Sequence, residues 1–260
     1  MLAAQRRVEI LEALDAAGTL TTDELAQRLR VSGETIRRDL LLLDRERLVR
    51  RVHGGAMATP QMRREEPPYS VRAADSAAKH RIGQLAASLV NPGQTVVFDV
   101  GTTVLAAARA LPANFGGVAV TCSLVAAAEL ATRPGVQVLI AGGRVRPGDL
   151  AVSNAHTVAF FEEIHADVAF LGSGCVSPDD GLTDFYIDEI ATRRVLIANS
   201  ATTYVLADSS KLDKVAPHRV CGVDEVTAFI TDQAPPEQLE AAFRDAAGHI
   251  IYPVGDRSSS

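Results

Sequence analysis

Cysteine is scarce: Cys122, Cys175 and Cys221 are the only three. An odd number of widely spaced thiols makes no disulfide framework, and without a C-x-x-C pair or histidines at ligand spacing no metal site is expected. The three read as small buried hydrophobes, in keeping with a reducing, cytoplasmic compartment. Long apolar runs are missing as well. The longest uncharged stretch, residues 110–128, contains Pro112, Asn114, Gly116 and Gly117, which a membrane span of about 20 apolar residues would not carry. The N-terminus runs straight into an amphipathic pattern without the apolar core of a secretory signal, so no membrane partner is expected. No repeat of fixed period is visible, and only the tail 257–260 looks like loose sequence. Positive charge is not in excess either: 26 Lys and Arg face 32 Asp and Glu, a net charge of −6. A general attraction to polyanions is thereby excluded. What remains, 47% hydrophobic and 22% charged over 260 residues, is a globular chain with room for one sizeable domain and a small one.

The charge is unevenly placed. Residues 1–57 hold ten Arg against nine acids, and six of those Arg (37, 38, 45, 47, 50, 51) fall within 37–51. A basic strip on an acidic protein points to a local contact with an anionic polymer. Residues 5–16 place Val8, Leu11 and Leu14 at helical spacing ahead of Gly18, a good stop signal. Thr21-Thr-Asp-Glu24 is a capping box that opens a second helix with Leu25 and Leu29 on one face. After the break at Val31, Ser32 caps a third helix that turns Ile36, Leu40 and Leu43 inward and Arg37 and Arg38 outward. Three short helices in this order predict a helix-turn-helix, whose last helix presents its first residues to base edges in the major groove. Candidate DNA contacts there are Ser32, Glu34, Thr35, Arg37 and Arg38.

Leu48-Val-Arg-Arg-Val52 alternates and is followed by His53-Gly54-Gly55, where glycine permits a turn. A basic hairpin there would form a wing, adding Arg50, Arg51 and His53 to the DNA contacts. The segment Val31-Ser-Gly-Glu-Thr-Ile-Arg-Arg-Asp-Leu40 followed by Leu48-Val-Arg-Arg-Val-His-Gly-Gly-Ala56 resembles the N-terminal signature of the DeoR (deoxyribose-operon regulator) family of bacterial repressors. Arg47 departs from it, standing where the family usually has Gly.

Residues 58–74 hold three prolines, both signs of charge and no apolar periodicity, as expected of an exposed linker. From residue 75 to 256, short β-branched or apolar runs alternate with Ala-rich helical stretches. Strands are predicted at 95–98, 118–121, 136–140, 168–171, 204–207 and 228–231, after a helix over 75–89. This alternation predicts an α/β domain with a parallel sheet covered by helices on both faces.

Ligands of open α/β sheets bind beyond the carboxyl ends of the strands, and here those ends are polar. Asp99-Val-Gly101-Thr102-Thr103 leads into a helix expected over 104–111, a geometry that suits phosphate. The other ends supply Ser123, Gly142 with Gly143, Gly172-Ser-Gly174 and Asp208-Ser-Ser-Lys211. Lys211 could meet a phosphate, and Asp99 or Asp208 sugar hydroxyls. This half too resembles the DeoR family, in Val97-Phe-Asp-Val-Gly-Thr-Thr103, Gly181-Leu-Thr183 with Glu189, and Ala207-Asp-Ser-Ser-Lys211. The resemblance covers nearly the whole chain and implies a ribose phosphate isomerase-like effector domain. It also implies a sugar-phosphate pocket lined by Asp99, Gly101, Thr102, Thr103, Glu189 and Lys211, with Lys79 nearby. The chain departs from the pattern at Cys122, where Asn is usual, at Asn154, where Gly is usual, and at Arg193, where Lys is common.

The expectation is a repressor without catalytic residues, metal or cofactor. It binds operator DNA as a dimer or tetramer and responds to a phosphorylated sugar. The alternative is a sugar-phosphate isomerase or deaminase with an appended DNA-binding segment, since Glu189, Asp184 or Asp99 could serve as base. A recognition helix with a basic wing favours the regulator, because an isomerase has no use for one. A DNA-binding module whose larger domain serves only assembly is the third reading.

Overall fold

The computed structural model describes residues 3–45, 48–58, 72 and 76–253. The expected linker, apart from positions 58 and 72, lies outside the described residues, as do Arg47 and the tail. The chain forms two compact units, residues 1–76 and 77–260.

In the first unit, α1 (Ala3–Ala17) buries Ile10, Leu11 and Leu14 and ends at Gly18, whose φ of 75° favours a residue without a side chain. A short strand β1 (Thr19–Thr21) leads into α2 (Thr22–Leu29). The expected capping box is present: Glu24 N–H donates to Thr21 Oγ1 at 3.2 Å, and Thr21 N–H donates to Glu24 Oε2 at 2.7 Å. α3 (Gly33–Arg45) starts where Thr35 N–H donates to Ser32 Oγ at 3.2 Å, and it buries Ile36, Leu40 and Leu43. The hairpin β2 (Val49–Val52) and β3 (Gly55–Ala58) forms the expected wing. Its inner strand also pairs with β1, an antiparallel addition that three residues of Thr-Leu-Thr do not announce. Gly55 is required there, since a Cβ would stand 2.2 Å from the carbonyl oxygen of Leu20. The small core also encloses a charge: Asp39, 7% exposed, accepts from Arg6 Nε at 2.5 Å, pinning α3 to α1.

The second unit is built on a seven-stranded parallel sheet. In chain order come α4 (Ala77–Ser88), β4 (Thr95–Phe98), α5 (Thr102–Ala110), β5 (Val118–Thr121), α6 (Leu124–Leu130), β6 (Gln137–Ile140) and α7 (Ala155–Glu162). Then follow β7 (Ala166–Gly172), β8 (Cys175–Ser177), β9 (Gly181–Asp184), α8 (Ile187–Ala198), β10 (Ser200–Leu206), β11 (His218–Cys221), β12 (Ala228–Ile230), α9 (Glu237–Asp245) and β13 (His249–Ile251). The sheet runs β13-β12-β10-β7-β4-β5-β6. The period-2 alternation of a strand buried on both faces is clear. Val96 and Phe98 of β4 and Val168 and Phe170 of β7 enter one core with Ile82, Ala107 and Leu130, whereas Val97, Ala169 and Leu171 enter the other with Phe161, Leu196 and Phe243. β8, β9 and β11 form a separate three-stranded antiparallel sheet. All three cysteines are buried and none is in a disulfide, as their type suggests. Among the described residues no helix is long and apolar enough to cross a membrane.

Candidate nucleic-acid interface and effector site

On α3, Ser32, Glu34, Arg37 and Arg38 are exposed and Thr35 is half-buried; on the hairpin, Arg50, Arg51 and His53 are exposed. Every predicted DNA contact of this unit therefore lies at its surface, on the helix and the wing that follows it. Glu34 sits between two guanidinium groups, 3.4 Å from Arg37 Nη1 and 3.5 Å from Arg38 Nε. Exposed pairs of this kind hold little energy, so both arginines remain available to phosphates and base edges. Asp44 Oδ1 accepts from the backbone N–H of Arg51 at 3.1 Å, tying the end of α3 to the wing.

In the second unit the strand order reverses between β4 and β7: β5 and β6 follow on one side of β4, and β7, β10, β12 and β13 on the other. Such a switch point is where an open α/β sheet makes a crevice. Asp99 and Gly172 meet there, the Gly172 N–H donating to Asp99 Oδ2 at 3.1 Å. Next along the chain, Gly101 has φ 132° and, lacking a side chain, caps α5 without a side-chain hydrogen bond, so the first N–H groups of the helix have no cap side chain as acceptor. Thr103 is buried and Thr102 half-buried.

The remaining predicted residues divide. Ser123 is spent as a helix cap, its Oγ accepting from Ala126 N–H at 3.3 Å. Gly142 and Gly143 are exposed beyond β6. Gly143, with φ 142°, faces Asn154, whose Nδ2 occupies the space 2.1 Å from where a Cβ would stand. Asn154 Oδ1 caps α7 through His156 N–H at 2.9 Å, and its Nδ2 has no partner. Asp208 caps the turn Ser209–Lys211 through Ser210 N–H at 3.1 Å, and Lys211 Nζ lies 6.0 Å from the Phe185 ring centre. Lys79 stands in the first turn of α4, two residues before Arg81. Arg81 pairs with Asp232 at 3.6 Å, and Asp232 accepts from Ser209 N–H at 2.8 Å. That chain of contacts puts the start of α4 at the same sheet edge as the Lys211 turn.

Arg193, noted in the sequence only as a departure, organises the centre. It is 3% exposed and its fork donates from Nε to Asp99 at 2.7 Å, from Nη1 to Asp184 at 2.5 Å and from Nη2 to Glu189 at 2.7 Å. The other oxygen of Glu189 takes Arg146 Nη2, which also bonds Asp149, while the Arg146 guanidinium lies 3.9 Å over the Tyr186 ring centre. Asp99 and Glu189 are thus engaged inside a buried network and not turned outward. Burial, aided by Asp184 and Asp99, outweighs Arg193 and Arg146 and pushes the Glu189 carboxyl up to about 7. Burial also acts on Asp184, but the charge of Arg193 and the N–H groups of Phe185 and Tyr186 outweigh it and hold this carboxyl below its ordinary range. Cys122 Sγ is 4.0 Å from Asp99 Oδ1, and burial beside that carboxylate keeps the thiol protonated. The i, i+4 spacing of Glu189 and Arg193 is the one signal of this network in the sequence; nothing in the spacing announces Arg146, Asp149 or Tyr186.

A winged helix-turn-helix joined to an α/β unit with a polar crevice at its strand switch defines a DNA-binding regulator with a sensor domain. Residues 6–61 match the DeoR-like helix-turn-helix domain and residues 74–233 the DeoR C terminal sensor domain. The chain belongs to the DeoR family of transcriptional regulators and is not an enzyme. It is 32% identical over 241 residues to a glycerol-3-phosphate regulon repressor of Escherichia coli, covering 93% of this chain and 95% of that one. It is 31% identical over 232 residues to the HTH-type transcriptional repressor GlcR of Bacillus subtilis, covering 89% of each. Among solved structures, a ribose 5-phosphate isomerase A from Methanocaldococcus jannaschii overlays 52% of this chain and 53% of its own at 19% identity, with a TM-score of 0.36. The enzyme alternative is set aside by the family.

Proposed function

We propose that this regulator represses a carbohydrate-metabolism operon in the cytoplasm and that a phosphorylated sugar or polyol, bound at the carboxyl edge of the parallel sheet, changes its operator affinity. Residues 1–57 bind DNA, 58–74 link, and 75–256 bind the effector and hold the oligomer together as a dimer or tetramer. The observation that carries the effector reading is the uncapped start of α5 at Gly101, beside the strand switch. There the helix dipole and open N–H groups favour an anion, and a neutral sugar gains nothing from them. The names of the relatives, repressors of glycerol 3-phosphate and related regulons, point the same way. Lys79 and Lys211, at the edge of β10, supply positive charge toward that ligand.

The test is a titration of labelled operator with and without glycerol 3-phosphate and a panel of hexose phosphates, each beside its unphosphorylated parent. A phosphorylated compound is expected to shift operator affinity by about 5- to 150-fold, with its parent inert. Lys211→Ala keeps operator affinity but loses the shift. Equal effects of phosphorylated and parent compounds would remove the anion site from the reading.

A further inference from the structure

α3 exposes an apolar side chain that neither its core nor its ion pairs use. Ile36, Asp39, Leu40 and Leu43 form the buried face, and Glu34, Arg37, Arg38, Leu41 and Arg45 are exposed. At 3.6 residues per turn each residue advances about 100°. With Arg37 at zero, Leu41 falls at about 40°, Glu34 at about 60°, Arg45 at about 80° and Arg38 at about 100°. The buried residues fall between about 200° and 300°, on the opposite side. Leu41, 38% exposed, therefore stands near the middle of the outward stripe. It follows Arg37 and Arg38 by one turn and precedes Arg45 by one turn. Leu42, 44% exposed, lies at about 140° on the flank toward Thr35.

A leucine inside a stripe of guanidinium groups gains nothing from phosphate oxygens, and it has no donor or acceptor to offer a base edge. Among the groups displayed by the major groove, the thymine 5-methyl is the apolar one. We infer that Leu41 reads a thymine methyl in the operator and so sets sequence preference at that base pair. One helical turn advances about 5.4 Å and one base pair about 3.4 Å, so this thymine falls within about two base pairs of the bases met by Arg37 and Arg38. The inference rests on α3 being the helix that enters the groove. It adds to that reading a base identity that the arginines, which favour guanine, do not specify.

The experiment uses the full-length protein and a duplex it selects from a random pool. Each thymine of that duplex is replaced in turn by uracil, which removes the methyl and nothing else, and affinities are measured for wild type, Leu41→Ala, Leu42→Ala and Arg38→Ala. Alanine keeps helix propensity at an exposed site, so the variants fold. At one thymine of the half-site, uracil is expected to weaken wild type by about fourfold, the loss of one buried methyl-sized contact. Leu41→Ala binds the thymine duplex about fourfold or more weakly and no longer distinguishes thymine from uracil there, while Leu42→Ala still does. The inference is overturned if Leu41→Ala retains the uracil sensitivity of wild type at every position, or if wild type is indifferent to uracil throughout. Arg38→Ala separates the failures. Unchanged affinity in that variant removes α3 from the groove altogether; a large loss with an indifferent Leu41 refutes the thymine contact alone.

Discussion

Arg193 donates from Nε to Asp99 Oδ2 at 2.7 Å across 94 residues of sequence, and both side chains are almost wholly buried. The carboxylate at the end of β4 is therefore held by a cation from α8, and the shape of the crevice depends on that cation staying in place.

Arg193→Ala leaves Asp99, Asp184 and Glu189 buried around an empty centre. Removing one partner of a buried ionic group typically costs about 3–5 kcal/mol, and urea unfolding of the variant is expected to show a loss of that order. Arg193→Lys retains the charge but not the fork that serves three carboxylates at once, and it should fall between. A loss below about 1 kcal/mol for the alanine variant would mean that the guanidinium does not hold the cluster.

Glu189 makes stability depend on pH. Its carboxyl is raised from 4.5 to about 7 in the folded state, first by burial, so the native protein keeps a proton that the unfolded chain has released. Its contribution is complete below about 4.5, declines as pH rises, and is gone above about 7. Asp184, shifted downward, acts in the opposite sense, losing its contribution as pH falls below the ordinary carboxylate range. Thermal midpoints should therefore decline from about pH 5 to 7 in wild type and flatten in Glu189→Gln. A wild-type profile that rises over that interval would reverse the assignment.

Gly101→Ala meets no clash, because the nearest atoms to an added Cβ are 4.0 Å away. The cost is conformational alone, since φ 132° is a region that L side chains rarely adopt, and about 1–3 kcal/mol is expected. Calorimetry should show weaker binding of the phosphorylated effector, as the first turn of α5 relaxes out of position. Unaltered affinity would place the anion elsewhere on the sheet edge.

Arg50 and Arg51, exposed on the wing, are expected to meet phosphates. Arg50→Ala should weaken binding to operator and to unrelated duplex alike and lower the slope of log affinity against log salt by about 1. A change confined to one operator sequence would make Arg50 a base-reading residue.

Much of the fold was legible where the physics is local. β4 and β5 run over the predicted 95–98 and 118–121, because a doubly buried strand is a short apolar run bounded by turn residues. The capping box at Thr21 and Glu24, and the inward set Ile36, Leu40 and Leu43, likewise needed only neighbours a few residues away. β1, β8, β9, β11 and β13 were not foreseen. They are three or four residues long, and β1 and β11 have pairing partners far off in sequence, Gly55 for Thr21 and Asp184 for His218, whereas β8 and β9 form a local hairpin with Ser177 opposite Gly181. The helix after β4 begins at Thr102 and not at 104, so both threonines belong to its first turn. The site was legible as residue types at strand ends but not as a network. That Asp99 joins Asp184 and Glu189 on one guanidinium follows from the strand order, which the local i, i+4 spacing of Glu189 and Arg193 does not encode.

That strand order also sets a timetable. β4 pairs with β5, which in turn pairs with β6, yet the other neighbour of β4 is β7, and the Asp99 carboxylate waits 73 residues for the Gly172 N–H that meets it. On a ribosome adding about 5–20 residues per second, the nascent sheet keeps one bare central edge for roughly 4–15 s. Arg193 arrives later still, so the half-made domain carries an open strand next to an uncompensated acid during the interval in which another nascent chain could pair with it.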